Sequence, residues 1–282
     1  MVYSFSMPQK YRIPFTKTVF EKTIDDIVPP ADLEKYITLG ARVSRYKFKD
    51  VHLDHIFDDA VDEHTKRMVL YAEHLPLPEE EKAAVIRTLW IHDIPEIVDS
   101  QTTQSDMTSI DKIRHPNLAL LIKKREEAVM EEIFSLEDKI LYRAFDPAKE
   151  MLFTGNIDFD KTSPIGMIAR VLDNFVDGTN SFHGFVAHYL ASENYRESLA
   201  LPQADSFEYC FHRGLDVYNN VSQMDHPSYI TAKNVILDIL REDFFGFVEE
   251  VWSPIALERM PNYARSEYEK YLTKLSRIDF SK

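Results

Sequence analysis

Residues 63–96 read EHTKRMVLYAEHLPLPEEEKAAVIRTLWIHDIPE, two apolar runs of helical period separated by Leu75-Pro76-Leu77-Pro78. Proline does not continue a helix interior, so the first run must stop there. Pro78-Glu79-Glu80-Glu81 then reads as a helix opening, with proline at the first position and acids in the first turn. At ~1.5 Å per residue the arms 64–75 and 79–92 are ~17 and ~20 Å long. Arms matched that closely fold back as an antiparallel pair and bring His64 and His92 to the same end. That pairing aims two imidazoles and the Asp93 carboxylate at an apolar interior. Burying such groups is unfavourable unless an ion, a hydrogen-bond network or solvent at a helix end compensates them.

The rest of the chain extends the helical pattern. Leu33, Ile37 and Val43 recur at roughly helical spacing over 31–45, and the charged stretch 47–62 reads as loop. Residues 118–134 are amphipathic, and Ser135-Leu136-Glu137-Asp138 begins a helix expected to end before Pro147. Residues 153–162 read as loop, and Ser163-Pro164 caps a helix running into IGMIARVLDNFV. Only 7 glycines occur in 282 residues, fewer than a turn-rich β architecture needs. The expected class is all-α: an N-terminal arm (1–30), a helical core (31–202) and a C-terminal helical extension (203–282) packed on it. Trp90, Phe244, Phe245 and Trp252 are expected in the core.

Charge and cysteine usage narrow the function. With 33 basic and 47 acidic residues the formal charge is −14, which argues against nucleic acid or an anionic membrane as the main partner. A small phosphorylated ligand stays open, because one or two local cations hold it. The lone Cys210 allows no intrachain disulfide, and no signal peptide or ~18-residue apolar run is present, so a cytoplasmic protein is expected.

Asp93 lies ~100° around the helix from His92 and reaches the same point from another side. A fourth group must come from elsewhere, and Asp173 lies within the apolar run ARVLDNFV. Two neutral imidazoles and two carboxylates balance a divalent cation, and the mixed N/O set suits Mn²⁺, Co²⁺, Fe²⁺, Ni²⁺ or Zn²⁺. Glu96, at i+4 from His92 and i+3 from Asp93, falls over the same helix face and is placed to handle a proton. His52, His55 and His74 compete with His64, and Asp160 and Asp177 with Asp173. His183 and His188 lack paired carboxylates nearby.

The order His64, His92-Asp93, Asp173 resembles the HD-domain metal-dependent phosphohydrolases, α-helical enzymes that cleave phosphate esters at a divalent ion. EHTKRM (63–68), HDIPE (92–96) and RVLDNF (170–175) are similar to the bacterial 5′-deoxynucleotidase branch, over about residues 31–190. The resemblance implies His64, His92, Asp93 and Asp173 as metal ligands, and Asp93 and Glu96 as catalytic groups. It also implies Arg45 as the phosphate contact, with Tyr46 where that branch has tryptophan. The branch's sugar-contacting aspartate, about five residues past the glutamate, is Gln101 here, with Asp99 and Asp106 nearby; Asp99 is taken as the substitute. Guanosine-tetraphosphate hydrolases carry His-Asp-x-x-Glu-Asp, and Ile97 stands at the last position. Binuclear relatives add histidines before the final aspartate, and only His115 lies there, which favours one metal. The expected activity is hydrolysis of a nucleoside 5′-monophosphate. The alternatives are pyrophosphate or triphosphate release from nucleotides, and a non-catalytic module binding a nucleotide or protein. A homodimer through the C-terminal extension is compatible with either.

Overall fold

The computed structural model describes residues 11–13, 16–43, 60–103, 115–156, 158–178 and 211–247, with isolated positions between 269 and 277. The fold is all-α. Its only ladder among the described residues joins β1 (Tyr11–Arg12) to β2 (Val19–Phe20), antiparallel, with Tyr11 opposite Phe20. The helices are α1 (Glu34–Gly40), α2 (Val61–Ala72), α3 (Glu79–Ile91), α4 (Ile94–Thr103), α5 (Pro116–Ile133), α6 (Leu136–Thr154), α7 (Pro164–Val171), α8 (211–222) and α9 (Ile230–Asp238). None is long and apolar enough to cross a membrane.

α2 and α3 pack against each other, joined through Glu73–Pro78 as the two prolines require. Pro78 stands at the N-cap rather than in the first turn. The buried residues of α3 gather at its C-terminal half: Val85, Thr88, Leu89, Trp90 and Ile91. Its acidic start stays in water while its end runs into the core. The expected continuous helix through Glu96 is not formed. α3 ends at Ile91, His92 and Asp93 make a turn, and α4 begins at Ile94. Pro95 is the physical reason, since it has no N–H to extend the ladder to the Ile91 carbonyl and its ring would crowd that oxygen.

The opposite correction applies to α6, which passes through Pro147 and ends at Thr154, capped by Gly155 at φ 73°. Pro147 lies on a half-buried face, where the carbonyl left without an N–H partner can meet water. Ser135 caps α6 by accepting from the Asp138 N–H, and Ser163 caps α7 by accepting from Gly166 N–H. α6 and α7 approach closely: a Cβ on Gly166 would lie 2.5 Å from the Ala144 carbonyl oxygen. α1 is shorter than the expected 31–45, because residues 31–33 form a turn and Arg42 and Val43 bond back only three residues.

A single apolar core runs from Ile13 and Phe20 in the arm through α2, α3, α6 and α7 to Phe244 and Phe245. Residues 211–247 of the extension therefore belong to the same core, and Trp90 is buried in it; Trp252 and the expected boundary at 202–203 lie outside the described residues. Two segments adopt the wider π-helical register, Leu172–Gly178 after α7 and Ile239–Phe245 after α9. They meet through Phe175 and Phe244, whose ring centroids are 5.2 Å apart. Buried Asp243 holds the arm in place. It accepts from the backbone N–H groups of Lys17 and Thr18, at 2.7 and 3.0 Å, and from the Tyr71 hydroxyl on α2. Burial, then the adjoining Asp243 charge, pushes that hydroxyl well above its usual range.

Arg87 ties α3 to α6 and to the turn before α1. Its Nε and one terminal nitrogen each lie 2.7 Å from an Asp138 oxygen, and Asp32 takes the outer side at 2.7 and 3.2 Å. The guanidinium holds both carboxyls below their usual range. A lowered folded-state pKa gives stabilisation that is complete above the unfolded value and lost as pH falls through the folded one. Arg87→Met should cost on the order of 2 kcal/mol at pH 7 in urea unfolding. The difference between wild type and variant should narrow as pH drops below about 4; a difference constant down to pH 2.5 would contradict this role.

Candidate metal centre

Three chain segments bring the predicted side chains together. His64 is in the first turn of α2, His92 and Asp93 form the turn between α3 and α4, and Asp173 opens the π-helical segment after α7. α2 packs on both α3 and the π-helical segment, and α3 on α7. The imidazole centroids are 5.6 Å apart. His92 Nε2 lies 3.1 Å from Asp93 Oδ2 and 3.8 Å from Asp173 Oδ1. His64 Nε2 lies 3.7 Å from Asp93 Oδ2 and 3.4 Å from Asp173 Oδ1. Ligand atoms that each sit ~2.1 Å from a common ion lie about 3–4 Å from one another, the spacing seen here. The group whose ligand atoms all fall within 4.8 Å of one another is His64, His92 and Asp93. Asp173 is not in that group, although its Oδ1 lies 3.4 Å from His64 Nε2 and 3.8 Å from His92 Nε2.

The tautomer of His92 sharpens the chemistry. Its Nδ1 is 2.7 Å from the Leu89 carbonyl oxygen, which only accepts, so Nδ1 carries the proton. In the neutral ring Nε2 then presents a lone pair towards two carboxylates, and it makes no hydrogen bond despite its burial. Lone pairs facing carboxylate oxygens repel unless a positive charge stands between them. A cation fits this donor set, and a second proton on the ring is the alternative. His64 is fully buried and its Nε2 faces the same carboxylates. Burial pushes the Asp173 carboxyl up, but the His64 contact and the Arg170 charge hold it well below the ordinary range. Asp173 is thus a carboxylate, not an acid, at neutral pH.

Two residues not anticipated from sequence complete the surroundings. Arg170 NH1 lies 2.8 Å from Asp173 Oδ2, and its guanidinium stacks on Phe145, 3.5 Å from the ring centroid. Phe145 also meets His92 edge-on at 5.3 Å, forming an apolar wall. The Arg170–Asp173 spacing of three was a visible i,i+3 signal. Nothing in the sequence marks Phe145.

The remaining predicted residues have varied positions. Glu96 is half-buried in the first turn of α4, which begins after the break at His92-Asp93. Asp99 is buried, with Oδ1 2.6 Å from Arg125, so it ties α4 to α5 as part of the scaffold. Arg45 and Tyr46 lie outside the described residues, as do Gln101's side chain, Asp106, His52, His55, His183, His188 and Cys210. His74 is near the far end of α2, bonded to the Leu70 carbonyl and edge-on to Phe20. Asp160 is exposed in a turn and His115 precedes α5; the side chain of Asp177 is outside the described set. A cleft of about 760 Å³ between α5 and α6 is lined by none of the four cluster residues and is spanned by the Lys123–Asp146 pair.

No protein-family model, curated protein or solved structure matches this chain.

Binding of an ion to the folded state alone stabilises it by about 2.7 kcal/mol at a hundredfold excess over Kd. Adding Mn²⁺ or Co²⁺ to chelator-treated protein should raise the Tm by several degrees, and Asp93→Asn should abolish the rise. An equal rise in the variant would place the ion elsewhere.

Proposed function

We propose that this chain is a divalent-metal phosphohydrolase of the HD type acting on nucleoside 5′-monophosphates. The observation that carries the proposal is the convergence of two imidazoles and two carboxylates, from three separate segments, with His92 protonated on the nitrogen facing away. In this reading His64, His92, Asp93 and Asp173 hold one ion of Mn²⁺, Co²⁺, Fe²⁺, Ni²⁺ or Zn²⁺. Such an ion supplies Lewis acidity, lowering the pKa of water and neutralising charge on phosphoryl oxygens.

The chain's own groups do the rest. Glu96, one turn past Asp93, takes the proton of the attacking water or gives one to the leaving oxygen. Asp93 acts beside it, its charge orienting that water. Arg45 is assigned to the phosphate, where a guanidinium stabilises the charge spreading over its oxygens, and Tyr46 to the sugar. Phe145 keeps water off one side of His92 and so strengthens electrostatic interactions there. Hydrolysis is balanced by one water consumed, with nucleoside and inorganic phosphate released.

A phosphate-release screen over nucleoside mono- and triphosphates and phosphosugars, with Mn²⁺, Co²⁺ or Mg²⁺, tests the assignment. Monophosphates should turn over, and Glu96→Ala should lower kcat by about 10²- to 10⁴-fold. Turnover of triphosphates alone would move the reading to nucleotide triphosphate or pyrophosphate hydrolysis. Metal binding without any turnover would make the fold a nucleotide- or protein-binding module.

A further inference from the structure

Asp173 has two oxygens, and only Oδ1 is turned towards the histidines. Oδ2 accepts from Arg170 NH1 at 2.8 Å. The Arg170 side chain is only 12% exposed, its guanidinium lies over the face of Phe145, and its Nε reaches the Phe145 carbonyl at 3.5 Å. The same ring meets His92 in a T-shaped contact, with centroids 5.3 Å apart. One aromatic ring therefore contacts both the guanidinium, over its face, and the imidazole. The backbone supports this arrangement too. Helix register changes from α to π at Leu172, within the turn separating Arg170 from Asp173, and Asn174 Nδ2 donates to the Arg170 carbonyl at 2.7 Å.

We infer that Arg170 is a positioning residue of the metal centre: by holding Oδ2 it fixes Oδ1 as the single oxygen Asp173 offers an ion. The inference rests on the metal reading above. A carboxylate released from Arg170 is free to rotate or to present both oxygens, so the site loses its preset geometry. Partners of this kind behind a ligand typically change metal affinity about 10- to 100-fold when removed. Lysine is a partial substitute, because its ammonium can hold one oxygen but lacks the flat fork that stacks on Phe145.

The test is titration of the purified full-length chain with Mn²⁺, followed by the EPR signal of free ion, and visible absorption of the Co²⁺-loaded protein at saturation. Arg170→Met should weaken Mn²⁺ binding about 10- to 100-fold and shift the Co²⁺ bands; Arg170→Lys should bind at an intermediate strength. A loss of fold stability alone moves the unfolding midpoint but not the Co²⁺ spectrum at saturation. Arg170→Met with wild-type affinity and spectrum, alongside weakened Asp173→Asn, overturns the positioning role and leaves the metal reading intact. Should Arg170→Met fail to fold, Arg170→Lys decides: affinity and bands identical to wild type overturn the role. Absence of Mn²⁺ binding in the wild type overturns both.

Discussion

Four polar side chains gathered inside an apolar core are the constraint to which the rest of the structure answers. His64 and His92 are buried, Asp93 is half-buried, and Asp173 is buried beside a second carboxylate. Carboxylates removed from water cost several kcal/mol each unless positive charge or hydrogen bonds compensate them. Arg170 compensates one oxygen of Asp173, and Asp173 Oδ1 and Asp93 Oδ2 face imidazole nitrogens. Because the His92 proton points away to Leu89, its Nε2 turns a lone pair towards the two carboxylates.

The scaffold keeps these groups from drifting apart. Gly166 lets α7 lie against the α6 backbone at Ala144, so that Asp173 is carried on a closely packed helix. Pro95 ends α3 at the point where His92 and Asp93 must turn inward, and the Asp99–Arg125 pair fixes α4 on α5. Arg87 joins α3 to α6, and Asp243 binds the N-terminal arm across to α2 through Tyr71. These ties come from positions far apart in sequence, so the cluster reports on the integrity of the whole core.

Much of this was legible in the sequence because its rules are local. The α2–α3 hairpin followed from apolar period and two prolines, and both Ser135 and Ser163 caps were readable from residue type. Matched arm lengths placed His64 and His92 at one end, where the structure has them. Local rules also misled. Pro147 was read as a terminator, yet packing of α6 along α7 carries the helix through it. Pro95 was overlooked as one, so Glu96 was assigned to the helix of His92. The two π-helical segments have no sequence signature, since a one-residue change of register comes from how helices meet. Asp99, expected at the substrate, is paired with Arg125, 26 positions away, a partner that nothing local revealed. Phe145 was invisible for the same reason.

X-ray absorption at the metal edge of the Co²⁺-loaded chain probes the cluster most directly. Two imidazole rings with carboxylate oxygens at about 2.1 Å are predicted, with one ring lost in His64→Gln. A shell of oxygen alone, unchanged in that variant, would contradict the convergence of His64, His92, Asp93 and Asp173 on one ion.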